Sequence, residues 1–191
     1  TLQLLNLERG SCFPRSTPVQ KYLRNTMPKV LLLTGPGGAG KTTIAEFLTE
    51  RGDFVYLDGD NEDTEFFPNG NQWLLENAEL LQKAHEKILR KTEKLVEQGK
   101  NVVIDYIIFG RYMEFIQSFR DAFGDDFAVK VLFPSKEALV KRDTDRECWT
   151  TGKERIDAVY AEFETIRDEI GSEGYLDTTG QSAEETAEFI L

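Results

Sequence analysis

The sequence predicts an α/β fold of three layers with a parallel sheet in the middle. Two observations favour this class. From residue 29 onward, short apolar runs rich in Val, Leu and Ile alternate with longer helical patterns. Most of these runs do not alternate between apolar and polar residues, which is typical of strands covered on both faces. Repeated strand-then-helix order gives a parallel sheet with right-handed crossovers.

Five strands are predicted, each from one short apolar run. They cover residues 30–33, 54–57, 102–104, 128–133 and 175–176. Six helices are predicted around them, at residues 41–51, 72–98, 111–123, 135–146, 154–170 and from 182 onward. Gly52, Gly99 and Gly124 follow three of these helices, as glycine often does at helix ends. In the last helix, Ser182 and Glu185 have the spacing of a capping box.

The length of 191 residues favours one domain, assigned here to residues 27–191. Residues 1–26 carry a net charge of +3, whereas the chain as a whole carries −11, so the remainder must carry −14. Met27 directly precedes the first apolar run. Residues 1–26 are interpreted either as a non-native extension ahead of a natural start at Met27 or as a genuine N-terminal arm.

Composition narrows the classes of partner. Hydrophobic residues make up 40% and charged residues 30%, which is typical of a folded globular protein. The negative charge disfavours nucleic acids and membrane surfaces, which are themselves anionic. Cys12 and Cys148 are too few and too far apart for a disulfide framework or a zinc site. The two cysteines fit a reducing cytosol, no apolar run approaches the roughly 18 residues of a membrane helix, and no secretory signal is visible, so we predict a cytoplasmic protein. The oligomeric state is not indicated.

The strongest motif is Gly35-Pro-Gly-Gly-Ala-Gly40-Lys41-Thr42, which matches the phosphate-binding P-loop G-x-x-x-x-G-K-[ST] between a strand and a helix. Glycines let successive backbone N–H groups turn toward phosphate oxygens, and the helix N-terminus adds its positive dipole end. Lys41 is expected to reach the β- and γ-phosphates of ATP, and the Thr42 hydroxyl to coordinate Mg²⁺. The predicted nucleotide-binding residues here are Gly35, Gly37, Gly38, Ala39, Gly40, Lys41, Thr42 and Thr43.

Carboxylates follow the second and third predicted strands, at the sheet edge where parallel folds bind ligands. Asp58 and Asp60 follow the second strand, and a single-residue step would put both on one side of an extended chain. Both are predicted to bind the substrate, and we favour Asp60 as the general base or orienting group for an attacking hydroxyl. Asp58 is the alternative base, or it orders water on Mg²⁺ instead. Asp105 ends the third strand and is expected to hold Mg²⁺ through water. The simpler interpretation is that these are ordinary turn and cap residues.

The region around the expected acceptor is acidic. Between Asp53 and Gln82 there are eight acidic residues and no Lys or Arg. Anionic acceptors are normally bound by arginine, so we predict a neutral or cationic acceptor. Arg111 follows the third strand and is a candidate substrate-binding residue, which weakens this inference. The alternative interpretation is that these acidic residues only solvate a surface loop.

A lid is predicted at about residues 139–156. Arg142 and Arg146 lie four residues apart near the end of a helix and therefore share a face. A polar, glycine-containing link follows them. Two arginines on such an element can close over the triphosphate and neutralise charge during transfer. The alternative is a solvated face paired with nearby acids.

Together these residues resemble the small P-loop kinases, a group that includes gluconate kinase, adenylylsulfate kinase, chloramphenicol phosphotransferase and shikimate kinase. The resemblance rests on the P-loop, Asp58-Gly59-Asp60, the Arg142 and Arg146 pair, and the closing Leu176-Asp-Thr-Thr-Gly-Gln-Ser-Ala-Glu-Glu185. It implies the P-loop NTPase sheet order 2-3-1-4-5 and a helical, arginine-bearing lid. It also implies that Asp60 acts on the acceptor hydroxyl and that the loop containing Thr179 lies beside adenine.

The chain departs from this group around the acceptor. Glu62 and Asp63 follow where adenylylsulfate kinases carry an arginine, and the histidine of gluconate kinases is absent. The acceptor is therefore not identified by the resemblance. His85, the one histidine, is interpreted as a partly buried packing residue. Trp73, Phe66 and Phe67 are interpreted as core residues rather than as a stacking surface for the acceptor.

The sequence thus predicts an ATP- and Mg²⁺-dependent kinase that phosphorylates a hydroxyl of a small molecule. Lys41, Asp60, Arg142 and Arg146 are the predicted catalytic residues. Two alternatives stay open. One is a polynucleotide 5′-hydroxyl kinase, which would need a basic path for the strand. The other is a non-catalytic ATP-binding regulatory module.

Overall fold

The structure of the protein is a computed structural model, and it describes residues 29–108, 110–145 and 150–191, without the side chain of Arg111. The predictions for residues 1–26, for Arg146 and for Cys148 lie outside the described residues, as does the part played by the Arg111 side chain.

A five-stranded parallel sheet forms the centre of the described chain. The strands are β1 (Val30–Thr34), β2 (Val55–Asp58), β3 (Val102–Asp105), β4 (Phe127–Leu132) and β5 (Tyr175–Leu176). Their order is β2-β3-β1-β4-β5, and every neighbouring pair is parallel. The predicted fold class and strand order are confirmed.

Helices connect the strands and cover the two faces of the sheet. They are α1 (Lys41–Glu50), α2 (Gly59–Asp63), α3 (Ala78–Glu97), α4 (Met113–Phe123), α5 (Lys136–Thr144), α6 (Lys153–Thr165), α7 (Arg167–Ile170) and α8 (Ala183–Ile190). Ser135 caps α5 by accepting a hydrogen bond from the Ala138 amide. Ser182 and Glu185 form the predicted capping box of α8.

Two of the predicted helices differ from the observed ones. The helix predicted from residue 72 begins at Ala78, because a turn with Asn71 at φ 76° and a 3₁₀ segment, Leu75–Asn77, come first. The helix predicted at 154–170 is two helices, because the backbone leaves helical geometry at Ile166, with φ −95° and ψ 6°.

The sheet separates two apolar cores, and alternation along the strands assigns residues to each. Val30 and Leu32 of β1 face one core, whereas Leu31 and Leu33 face the other. The core formed under α3, α4 and α6 is called the acceptor-side core; it includes Leu57, Leu81, Ile88, Tyr106, Phe115 and Phe163. The core formed under α1, α5 and α8 is called the nucleotide-side core; it includes Ile44, Leu48, Val103, Leu139 and Ala187.

The register of the strands brings their polar carboxyl ends together. Asp58 pairs with Asp105 across β2 and β3, and Leu33, one residue before the end of β1, pairs with Asp105 on its other side. Side chains on a strand alternate between faces. Asp105 therefore shares the face of Val103, toward α1, while Tyr106 shares the face of Ile104, toward α3 and α4. None of the described helices combines the length and the apolar character that crossing a bilayer demands.

Candidate active site

The loop between β1 and α1 has the backbone geometry of a P-loop. Gly35, Gly38 and Gly40 have φ values of 139°, 87° and 94°, in the region that favours glycine. A Cβ on Gly35 would lie 2.3 Å from the carbonyl oxygen of Leu132, so no other residue fits beside β4. Gly40 is the N-cap of α1, which places the helix N-terminus at the loop.

Lys41 turns back over this loop. Its ammonium donates hydrogen bonds to the carbonyl oxygens of Gly35 at 3.2 Å and Pro36 at 3.5 Å. The positive charge therefore lies above the turn whose amides a phosphate would contact.

Thr42 and Asp105 meet at the end of the sheet. The Thr42 hydroxyl donates to Oδ2 of Asp105 at 2.6 Å. Burial raises the pKa of Asp105, and the Lys41 ammonium and the Thr42 hydroxyl oppose that rise. Tyr56 lies beside the pair, and burial together with the Asp105 carboxylate raises the pKa of its phenol. Tyr56 could not be recognised as a site residue from the sequence, because a tyrosine inside a strand looks like a packing residue.

A cavity of about 210 Å³ lies between the P-loop and Asp60, the predicted base for the acceptor hydroxyl. Its lining includes Lys41 and Thr42 from the nucleotide side, Asp60 from α2 and Asp105 from the end of β3. Ile107, which the sequence analysis did not single out, also lines it. The full lining is Gly37, Gly38, Gly40, Lys41, Thr42, Thr43, Asp60, Asp105 and Ile107. Asp58 is not among these residues.

The chain after β2 is helical rather than extended, so the reasoning from an extended step between Asp58 and Asp60 was wrong. Asp58 is the N-cap of α2, and its Oδ1 accepts from the Asn61 amide at 3.0 Å. A capping aspartate satisfies a helix N–H that would otherwise lack a partner. Asp60 lies in the first turn of α2 and reaches the cavity, so the two carboxylates have different surroundings.

The Asp60 carboxyl has an altered acidity. The residue keeps contact with solvent at the cavity mouth. Desolvation by the surrounding protein nevertheless raises its pKa to about 6, aided by the charges of Asp105 and Asp63 and opposed by Lys41. A carboxyl with a pKa in this range can accept a proton near neutral pH.

A buried group below Asp60 was missed. Asp63, at the end of α2, accepts a hydrogen bond from the Tyr106 hydroxyl at 2.9 Å. Burial raises the pKa of Asp63 to about 6, although the Tyr106 bond lowers it. In the sequence, Asp63 was one of the eight acidic residues between Asp53 and Gln82. Phe67, a predicted core residue four positions later, is also buried and was the one nearby sign of an inward-facing turn.

His85 is a packing residue, as predicted. Its ring lies 5.0 to 5.8 Å from the rings of Phe115, Tyr112 and Tyr106. Burial lowers its pKa to about 4, so the imidazole is neutral at neutral pH. Of the three predicted core aromatics, Phe67 is buried and Phe66 packs against the acceptor-side core. Trp73 is 44% exposed, with the Arg155 guanidinium 4.9 Å from its ring, so its assignment to the core was wrong.

A second cavity, of about 280 Å³, lies on the other side of the P-loop. Gly38, Ala39, Gly40 and Thr43 form one wall, and Arg142 with the loop before α8 forms another. The full lining adds Ile44, Thr178, Gln181, Ser182, Ala183 and Thr186. Thr178 rather than the predicted Thr179 lines this cavity. The Thr179 hydroxyl instead accepts from the Ser135 amide and donates to Asp177, which fixes the loop.

The predicted lid segment is attached to the P-loop by described contacts. Asp143 is buried and accepts from the amides of Thr151 at 2.8 Å and Gly152 at 2.9 Å. A Cβ on Gly37 would lie 2.8 Å from the Thr151 hydroxyl, so the Thr151 side chain lies directly against the P-loop backbone. Arg142 donates to the Thr178 carbonyl at 2.7 Å, which places its guanidinium at the second cavity.

No group of three or more His, Cys, Asp or Glu side chains within the described ranges could hold a metal ion by itself. That pattern still fits Mg²⁺ in a P-loop site, where one or two protein oxygens act together with phosphate oxygens and water. The paired oxygens of Thr42 and Asp105 are hard ligands of the kind Mg²⁺ prefers.

The sheet order, the glycine geometry and the Lys41 and Thr42 positions define the class: a P-loop nucleotide-binding protein with the fold of the small P-loop kinases. A family model described as an AAA domain matches residues 30–171, and the chain belongs to that family. The predicted family resemblance is confirmed at this level.

Individual proteins that resemble the chain are distant. A guanylate kinase from Prochlorococcus marinus is 23% identical over 186 residues, covering 86% of this chain and 96% of the relative. A sugar kinase from a Janibacter species superposes with a TM-score of 0.66 at 16% identity, over 84% of this chain and 90% of that one. A tunicamycin resistance protein from Deinococcus radiodurans gives 0.64 at 14% identity, over 86% and 94%. At these identities the structural likeness establishes the fold.

Proposed function

We propose that the protein is an ATP- and Mg²⁺-dependent kinase that transfers the γ-phosphoryl group to a hydroxyl of a small neutral or cationic molecule. One observation carries the proposal: a single cavity contains the P-loop, Lys41 and Thr42 on one side and the Asp60 carboxylate on the other. Phosphoryl transfer requires that arrangement, because the acceptor oxygen must lie in line with the phosphorus and close to it.

The nucleotide would occupy both cavities that flank the P-loop. Backbone amides of the loop and the N-terminus of α1 would bind the phosphate oxygens, and the Lys41 ammonium would neutralise charge that grows on them during transfer. The base would lie in the cavity next to Thr178 and Gln181. Arg142, which borders that cavity, is a candidate for contact with the base or the adjoining phosphates.

Thr42 and Asp105 fit the requirement for Mg²⁺. Thr42 would contribute its hydroxyl oxygen, and Asp105 would accept hydrogen bonds from the metal's water ligands while holding Thr42 in place. When bound, Mg²⁺ supplies Lewis-acid stabilisation of the phosphate oxygens.

Asp60 is the proposed base for the acceptor hydroxyl, and two contacts favour it over Asp58. Asp58 is engaged as the cap of α2, while Asp60 reaches the cavity. Its carboxylate would accept a hydrogen bond from the acceptor hydroxyl, fix the oxygen for attack and take up the proton as the new O–P bond forms.

The charge of the acceptor follows from the side chains near Asp60. The negative charges of Asp105, Asp63 and Asp58 each raise the pKa of Asp60, so all three lie near its carboxyl group. Lys87 and Lys91, which contact α2, are paired with Glu62, and Lys41, whose charge also acts on Asp60, is the proposed phosphate ligand. An anionic acceptor would therefore meet several carboxylates, whereas a neutral polyol or an amine-bearing alcohol would not be repelled.

Two experiments test the proposal together. The first is an ATP-consumption screen over neutral and amine-bearing alcohols, with sugar acids, nucleoside monophosphates and 5′-hydroxyl oligonucleotides as the anionic contrast. The second compares Asp60→Asn with Asp53→Asn, an exposed aspartate away from the cavity. We expect Asp60→Asn to keep ATP affinity within about threefold and to lose transfer by about 10²- to 10⁴-fold.

Other results would change the assignment. Transfer to an oligonucleotide that weakens steeply with salt would favour the polynucleotide kinase. One chain of an RNA repair complex has the same fold over part of its length, with a TM-score of 0.57 at 20% identity, covering 78% of this chain and 48% of that chain. ATP binding without transfer to any class of acceptor would favour a regulatory module. Normal phosphate transfer by Asp60→Asn would show that Asp60 is not the base for the acceptor hydroxyl.

A further inference from the structure

The helix that carries Asp60 is too short to hold its own position. It has five residues, Gly59–Asp63, and isolated helices of this length are unstable in water. The orientation of Asp60 must therefore come from contacts between α2 and the rest of the protein. Three described contacts bear on it: the Asp58 cap, the bonds of Glu62 to Lys87 and Lys91, and the side chain of Tyr106.

Tyr106 contacts both ends of α2. Its hydroxyl donates to Asp63 at the end of the helix, at 2.9 Å. Its ring lies against Gly59 at the beginning, where an added Cβ would be only 2.5 Å from the ring carbon Cγ. Asp60 lies between these two contacts, one residue after Gly59. One rigid, planar side chain thus sets both the height and the rotation of the turn that presents Asp60.

The Tyr106 side chain is itself held firmly. It is 1% exposed, and Asp63 is 2% exposed. The rings of Tyr112 and Phe115 lie 5.8 and 5.5 Å from the Tyr106 ring at steep angles, which is a favourable aromatic geometry. His85 Nε2 lies 3.4 Å from the Tyr106 hydroxyl, so a third polar group accompanies the buried Asp63 bond. A buried polar network of this kind fixes one conformation when its members are paired.

The other two supports of α2 act at single places on it. Glu62 pairs with Lys87 and Lys91 of α3, and Lys87 also donates to the Glu62 carbonyl at 2.8 Å, so these bonds join the two helices at Glu62. The Asp58 cap holds the first turn but does not reach the end of the helix. Tyr106 also follows Asp105, the last residue of β3, so the proposed metal-binding carboxylate and the residue that supports α2 are consecutive in the chain.

We propose that Tyr106, through its hydrogen bond to Asp63 and its ring contact with Gly59, is the positioning residue that aligns Asp60 with the phosphate cavity. The proposal rests on the proposed kinase function for its catalytic consequence. Its structural part, the fixing of α2, does not depend on that function. Tyr106 does not contact the reacting atoms; it acts on them through Asp60.

The test uses the full chain with Tyr106→Phe, Asp63→Ala, the double variant and Asp63→Asn. Phenylalanine keeps the ring on Gly59 and removes the hydroxyl, whereas asparagine keeps an oxygen that can accept from Tyr106. Tyr175→Phe is the matched control, because it removes another tyrosine hydroxyl bond, the one to the Phe163 carbonyl at the far edge of the sheet. Hydrogen exchange over residues 56–66 needs neither nucleotide nor acceptor and reports on α2 directly.

We expect exchange in this segment to be at least about tenfold faster in Tyr106→Phe and Asp63→Ala, and unchanged in Tyr175→Phe and Asp63→Asn. With an acceptor from the screen, kcat should fall about 10- to 100-fold in the first two variants while KM for ATP stays within about threefold. The double variant should lose no more than the larger single loss, because both changes remove one interaction.

Distinct results would overturn each part. Wild-type exchange and wild-type kcat in Tyr106→Phe would contradict the positioning role while leaving the kinase proposal intact. Additive losses in the double variant would show that Tyr106 and Asp63 act separately. If the wild-type protein transfers phosphate to nothing, the kinase proposal fails, and exchange over residues 56–66 still decides whether Tyr106 fixes α2.

Discussion

The Thr42 hydroxyl donates a 2.6 Å hydrogen bond to Oδ2 of Asp105, which ties the first turn of α1 to the end of β3. This bond joins two residues 63 positions apart in the sequence. It holds two oxygens of the kind preferred by Mg²⁺ beside the cavity that also contains Lys41 and Asp60.

Asp105→Asn should weaken the use of Mg²⁺. The amide keeps one oxygen but loses the negative charge that orients Thr42 and the metal's water ligands, so we expect the free Mg²⁺ needed for half-maximal rate to rise about 10- to 100-fold. Initial rates at saturating ATP across a Mg²⁺ series measure this. Thr42→Ser keeps the hydroxyl and should remain within about threefold of wild type; an equal shift in both variants would contradict the assigned role of the charge.

The rate of transfer should fall at acid pH because Asp60 must be ionised to accept a proton. Desolvation by the surrounding protein raises its pKa to about 6. We therefore expect kcat/KM to fall about tenfold per pH unit below pH 6 and to level off above it. A series from pH 4.5 to 8 with fixed ionic strength checks this. Asp60→Asn should give a low rate that does not fall further below pH 6. An unchanged fall below pH 6 in that variant would assign the titration to another group.

Asp63→Asn should stabilise the protein at neutral pH and not at acid pH. The pKa of Asp63 is raised from 3.8 to about 6 on folding, so the folded state holds a proton that the unfolded chain has released in that interval. Stability then falls as pH rises from about 4 to 6. Asparagine avoids this loss and still accepts from Tyr106, so we expect a gain on the order of 1–2 kcal/mol at pH 7.5 that disappears by pH 4. Urea unfolding at both pH values, with Asp53→Asn as control, measures it; a gain of equal size at both would disprove the cause.

Gly59→Ala should disturb the acceptor side without affecting the nucleotide side. Its Cβ would meet the Tyr106 ring at 2.5 Å, so α2 must move. We expect a loss of about 1–3 kcal/mol in unfolding free energy and at least a tenfold lower kcat, with KM for ATP little changed. Gly180→Ala is the control, because nothing lies within 4 Å of its Cβ position. A large rise in KM for ATP in Gly59→Ala would show that the two sides are not separate.

Asp143→Ala should loosen the predicted lid from the P-loop. The buried carboxylate accepts from the amides of Thr151 and Gly152, and its removal leaves both without that partner. We expect a loss of about 2 kcal/mol or more in unfolding free energy and about a tenfold rise in KM for ATP, since Thr151 lies against Gly37. Asp145→Ala, at the same helix end but exposed and paired only with Lys141 among described contacts, should change either value little.

The features predicted best from the sequence were those set by local pattern. The P-loop, the five strands and the Ser182 capping box each depend on residues close together in the chain. Predicted strand ends were within one residue of the observed ones, because an apolar run ends where the polar cavity begins.

The site features that could not be predicted depend on residues distant in sequence. Asp63 and Tyr106 are 43 positions apart, and only the fold shows that Asp63 faces inward. The extended geometry assumed for Asp58 and Asp60 failed because Asp58 caps a short helix whose end is fixed by Tyr106. Thr178 and Thr179 are chemically alike neighbours, and the contact of Thr179 with the Ser135 amide decides which one faces the cavity.

The two apolar cores on opposite faces of the sheet have a consequence for how this scaffold can be altered. The proposed acceptor site lies over one core and the P-loop over the other, and Asp105 at the end of β3 faces the P-loop side while Tyr106, the next residue, faces the other. Specificity can therefore be redesigned in the layer of α2, α3 and α4 while the phosphate donor machinery is inherited unchanged. Sequence divergence between homologues of this domain should be unequal in the same way, with one layer variable and the opposite layer constrained.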